Sequence, residues 1–106
     1  MLAAVLALAM IHNACPILIG VGKEGKLFSD RFRGWYSISS KTLQSDLRGG
    51  CYNDANPSPV TSVKIAIAAG APKPKVDEVF SILEKQGWSR EKITVKSWDR
   101  YPQEPH

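Results

Sequence analysis

A single small α+β domain, or its α/β variant, is the fold class this sequence predicts: a sheet of three to four strands with two helices, behind an apolar N-terminal segment. Three observations lead there. The chain has 106 residues, the size of one domain, and its 43% apolar and 23% charged residues lie near globular averages, which excludes a disordered or fibrous chain. Residues 60–98 read as strand, helix, strand. All the charge lies downstream of Gly22, because residues 1–22, MLAAVLALAMIHNACPILIGVG, contain no Asp, Glu, Lys or Arg. The chain therefore divides into an apolar leader (1–22), one small domain (23–100) and a tail (101–106) that carries two prolines.

The leader supports four readings. A secretory signal needs an apolar core and small residues at a cleavage site. Leu2–Met10 supplies the core and Ala7, Ala9 and Ala14 supply the small residues, but no Lys or Arg stands at the start. A membrane span needs about 20 apolar residues. The length fits, although His12, Asn13 and Pro16 interrupt it, and Lys23 and Lys26 follow as a flank. A lipoprotein would acylate Cys15, yet His12 and Asn13 are poor neighbours for such a site. The fourth reading is a buried helix over residues 2–13, ended by Pro16, then a short β-branched strand, Ile17–Val21. Export or membrane attachment is the expectation drawn from the four.

The downstream elements follow from local chemistry. Gly22-Lys23-Glu24-Gly25 is a turn signal. Lys26–Asp30 follows, and Arg33–Ser39, with Trp35, Tyr36 and Ile38, reads as a strand. Ser39 or Ser40 can cap a helix over Lys41–Arg48, with Leu43 and Leu47 on one face and Gly49-Gly50 as its stop. Residues 51–59, CYNDANPSP, have the composition of a loop. In Val60–Ala69, Val63, Ile65 and Ile67 alternate with Lys64, Ala66 and Ala68, so a strand is expected whose second face is small.

Gly70–Pro74 breaks that strand and prepares a helix start. Val76, Val79, Phe80 and Leu83 then form an amphipathic stripe. Asp77 and Glu78 are expected in the first turn and Lys85 in the last, as the helix dipole favours. Gly87 ends the helix and places Trp88 to pack back on it. Ile93–Trp98 is the last strand, with Ile93 and Val95 facing one way and Thr94, Lys96 and Trp98 the other.

Little chemistry is visible. The loop Ala68–Pro74 has one glycine and two prolines, which is no phosphate cradle. His12 and His106 sit near opposite ends of the chain, so neither a serine nucleophile nor Cys51 has a partner in the sequence. Too few closely spaced ligands exist for zinc. No catalytic residue, metal ligand or cofactor site is predicted. The two cysteines, Cys15 and Cys51, are a candidate disulfide, which would add roughly 3–4 kcal/mol on the chain-entropy model. The net charge of +4 is dispersed among acid–base neighbours, an argument against nucleic acid as partner, with Lys23–Tyr36 the best candidate patch.

Trp35, Trp88 and Trp98 are many for so small a chain. Trp98, Arg100 and Tyr101, together with Trp35, form the candidate protein-binding group, since an aromatic beside cations is typical of interface hot spots. The plainer alternative is that Trp98 covers a sheet face under the Arg33–Ser39 segment. The order strand, helix, strand behind an apolar N-terminal segment resembles the periplasmic domains of energy-transducing membrane proteins; the resemblance brings no motif and no site residue with it. The expected function is a small exported, non-catalytic domain of inhibitor or immunity type that binds one protein partner in a bacterial envelope, periplasmic or secreted. The first alternative is a membrane-anchored accessory subunit held by residues 1–22. The second is a small cytoplasmic enzyme or binding protein with the leader as a core element.

Overall fold

The computed structural model of the chain describes residues 14–30, 34–53 and 56–98. Three strands come first, β1 (Pro16–Val21), β2 (Leu27–Asp30) and β3 (Trp35–Ile38). Helix α1 (Ser40–Gly49) leads into a small hairpin, β4 (Cys51–Asn53) with β5 (Asn56–Ser58). Then follow β6 (Ser62–Ile67), α2 (Lys73–Lys85), a single 3-10 turn (Arg90–Lys92) and β7 (Ile93–Ser97). The main sheet has the order β3-β2-β1-β6-β7. β1, β2 and β3 pair antiparallel in sequence, while β6 runs parallel to both β1 and β7. The expected α+β class is therefore what forms, with five strands in the main sheet rather than three to four.

The extra strand is β2, and its burial explains why alternation does not reveal it. Leu27, Phe28 and Ser29 are all buried, so both faces of this short strand are covered and no period of two appears. The short strand of the fourth reading, Ile17–Val21, is present as β1, one residue longer at Pro16, and it is the central strand of the sheet. A membrane span through all of residues 1–22 does not fit this, since residues 16–21 carry sheet pairing on both sides. The helix expected over residues 2–13, His12, His106 and the tail lie outside the described residues.

In-register neighbours point to the same side of a sheet, so the pairing sorts the side chains into two faces. On one face Ile19 lies beside Ile65 and Ser29, and Ile17 beside Val63. These pack with Leu43 and Leu47 of α1 and with Val79, Phe80, Ile82 and Leu83 of α2 into one buried cluster. Both helices thus cover the same face. Ser39 caps α1 through its hydroxyl, which accepts from Thr42 N at 3.1 Å, and Gly50 N donates to the Asp46 carbonyl at its end.

Helix α2 ends in a pair of reaching bonds, Gly87 N to Glu84 O and Trp88 N to Leu83 O, with Gly87 at φ 91°. Trp88 is thereby turned back onto the aliphatic cluster, as expected. The start of α2 differs from expectation. The helix begins at Lys73, so its first turn holds Lys73 and Lys75 and no acid. Asp77 and Glu78 fall one turn later, and Glu78 serves a different purpose, described below.

Residues 51–59, expected as a loop, contain the β4–β5 hairpin, with Cys51 opposite Ser58. Gly50 makes it reachable. Its φ of 68° turns the chain sharply out of α1, and a Cβ there would overlap the Ser58 carbonyl. Pro57 and the asparagines weaken any strand reading from composition. Tertiary anchoring of Cys51 overrides that preference.

Candidate protein-binding surface

The face of the sheet away from the helices is built from Leu18, Gly20, Phe28, Asp30, Lys64, Ala66, Thr94 and Lys96, by the same register rule. Two tryptophans from opposite ends of the sheet close over its middle. Trp35 comes from edge strand β3, and Trp98 follows edge strand β7. Their rings lie 4.6 Å apart, tilted by 38°. Trp98 also meets Phe28 edge-on, with centroids 5.7 Å apart and planes at 79°. Phe28, only 1% exposed, is sealed by this contact together with its neighbours.

Gly20 is what lets the rings descend. It lies between Phe28 and Ala66 in the register. A Cβ on Gly20 would stand 2.5 Å from Cζ3 of Trp98 and 3.1 Å from Cζ3 of Trp35. The backbone of Trp98 is fixed as well, its N–H donating to the Ile67 carbonyl at 2.9 Å. Of the four residues in the predicted protein-binding group, Trp98 and Trp35 are thus brought together, and against each other. Both are half-buried. Arg100 and Tyr101 lie outside the described residues.

Beyond the tryptophans this face mixes apolar side chains, Leu18 among them, with the polar Asp30, Lys64, Thr94 and Lys96. Asp30 and Lys64 flank Leu18 in register, around a depression of about 350 Å³ lined also by Pro16, Ile17 and Ser62. Both ends of the sheet expose a large apolar side chain on the helix side: Tyr36 of β3 is 49% exposed and Val95 of β7 is 50% exposed. Ile93 is the only buried residue of β7.

A disulfide pins the start of β1. Cys15 and Cys51 are bonded, with Cα atoms 5.7 Å apart and 36 residues between them in sequence. Cys15 is fully buried and is gripped again by Thr61, whose Oγ1 accepts from Cys15 N at 2.8 Å while its N–H donates to the Cys15 carbonyl at 2.9 Å. The bond speaks against the lipoprotein reading of the leader, because the Cys15 sulfur is engaged and so is not a site for acylation. A signal cleaved before Cys15 keeps the disulfide.

One polar cluster links the helices. The Ser40 hydroxyl donates to Glu78 Oε1 at 2.6 Å, and Lys75 Nζ lies 3.1 Å from Glu78 Oε2 and 3.4 Å from Ser40 Oγ. The Ser40 bond, and then Lys75, hold the Glu78 carboxyl below its ordinary pKa. A carboxylate so stabilised is a weak base, and Lys75 is engaged as its counter-ion, so the arrangement suits a tether between α1 and α2 better than activation of Ser40. Among the described residues, no group of three or more His, Cys, Asp or Glu could hold a metal ion. Nor, among them, is any helix long and apolar enough to cross a membrane.

The plainer alternative for Trp98, that it covers a sheet face under the Arg33–Ser39 segment, is the arrangement that forms, with Trp35 as the residue it meets. Sequence reasoning missed that β7 lies at the edge of the sheet, because strand order has no local signature. No family model, curated protein or solved structure matches this chain.

Proposed function

We propose that the chain is a small exported, non-catalytic domain of inhibitor or immunity type that binds one protein partner in a bacterial envelope. The observation that carries this reading is a disulfide-closed sheet whose two edges each present a large apolar side chain, Tyr36 and Val95. A disulfide is kept in oxidising compartments such as the periplasm and is rare where thiols are held reduced. Uncovered sheet edges and protruding apolar side chains are the features through which such domains engage other proteins.

The test is the intact mass of the protein from its native host, with thiol alkylation under non-reducing conditions. The expected result is a mass below the full 11.7 kDa, no alkylated cysteine, and a new N-terminus at or before Cys15. A full-length chain with two alkylated thiols overturns export and supports the small cytoplasmic alternative. A full-length chain with the disulfide intact, extracted only by detergent, supports the membrane-anchored accessory subunit. The observation behind that second reading is that the charge-free run continues unbroken from residue 1 into β1, so an anchor upstream of Pro16 would hold the domain close to a bilayer.

A further inference from the structure

We propose that the outer edge of β7 receives an extended segment of the partner protein, added as a sixth strand, whose side chains alternate between acidic and apolar; this rests on the protein-binding reading above and names its surface. β7 ends the sheet, paired with β6 on one side and with no strand on the other among the described residues. An edge strand leaves a row of backbone N–H and C=O groups able to pair with an incoming chain.

The side chains on either face then specify what that chain carries. Toward the helices an added strand meets Val95, half exposed, beside Ile65 in the register. Apolar residues are wanted there. On the opposite face it meets Thr94 and Lys96, with Lys64 next to Thr94 on the neighbouring strand. Lys92 enters the strand from the preceding turn. These are exposed cations. Two acids lie near them, Glu91 beside Lys92 in the turn and Asp30 across Leu18 from Lys64, and neither stands on β7. A carboxylate on alternate residues of the partner answers Lys64 and Lys96, because cross-strand opposite charges are favourable and like charges are not.

The same cations argue against a second copy of this chain as occupant. Pairing β7 with itself would bring two lysine-bearing edges together, a known device for keeping sheet edges apart. The other edge, β3, offers less selectivity: the strand is four residues long and has no charged residue. Its Trp35 is already packed on Trp98.

The experiment uses the full chain with its disulfide intact, titrated with short peptides alternating Glu with Val or Lys with Val. Binding is read by calorimetry and the location by amide hydrogen exchange. The expected result is slowed exchange within residues 93–97, a preference of about tenfold for the Glu–Val peptide, and weakening as salt is raised. The double variant Lys64→Glu with Lys96→Glu changes exposed side chains only and should reverse the preference. No binding at low salt, equal binding of both peptides, or slowed exchange confined to residues 35–38 overturns the proposal. Cross-linking to a native partner separates the two levels. Contacts mapped away from β7 leave the protein-binding reading standing and sink this one, whereas the absence of any partner sinks the broader reading.

Discussion

The two faces of the main sheet are covered by different means. On one, aliphatic side chains of β1, β2, β6 and β7 interdigitate with two helices, and the buried cluster draws on both of them. On the other, among the described residues, two indole rings reach across a glycine from opposite edges. The first face spreads its packing over side chains from four strands and two helices. The second depends on a few atoms in one geometry. The comparison teaches how a sheet with both helices on one side protects its other side: large rings do there what a helix would, provided the strand beneath is flat enough to admit them.

The largest effect should come from the helix-covered face. Ile65 is buried at its centre, and Ile65→Ala should destabilise by about 3 kcal/mol through lost transfer energy and the cavity left behind. Chemical denaturation measures it, and the near-ultraviolet signal of the tryptophan pair should stay unchanged in the folded state. A loss under about 1 kcal/mol would mean that the face collapses around the gap.

Next in size is Gly20→Ala, which places a methyl against the Trp98 ring and should cost about 1–3 kcal/mol as an overpacking strain. Here the tryptophan signal should change. Made in a Trp98→Ala background, the same substitution should cost much less, because the clashing ring is gone. Equal costs in the two backgrounds would show that the ring is not what Gly20 accommodates.

The smallest effect belongs to the tether between the helices. Glu78 has its pKa lowered in the folded state, by the Ser40 hydrogen bond first and Lys75 second. Its contribution is therefore present above the ordinary carboxylate value of 4.5 and is lost as pH falls through the lowered folded value. The pair is well exposed, and solvent screening limits the effect to about 0.5 kcal/mol or less. Glu78→Gln should remove this part of the acid dependence while leaving both faces spectroscopically intact. A stability loss that persists undiminished below the folded pKa would assign Glu78 a packing role instead.

Much of this arrangement is legible in local pattern. The stripe Val76, Val79, Phe80 and Leu83 and the alternation of Val63, Ile65 and Ile67 declare a helix and a strand, because each needs an apolar face of its own period. The caps at Ser39, Gly50 and Gly87 act within a few residues of themselves. Other features have no such signature. β2 is buried on both sides and too short to show a period. The β4–β5 hairpin runs against its own composition and is held from outside by the bond to Cys15. The acids of α2 read as dipole partners only if the helix begins later than it does. Its first turn starts at Lys73, where Pro74 is tolerated because early helical N–H groups need no partner inside the helix.

The sequence by itself determined the class of fold, the helices and their buried stripes, and the two cysteines available for a bond, since periodicity, capping and composition act over neighbouring residues. Only the tertiary structure decided among the readings of residues 16–21 and put their strand in the middle of the sheet. It also decided that Cys15 meets Cys51, that Trp35 meets Trp98 over Gly20, and that β7 is left at an edge. Each of these joins segments far apart in the chain, and strand order and register, which bring them together, are set by how the whole set of apolar faces can be buried at once.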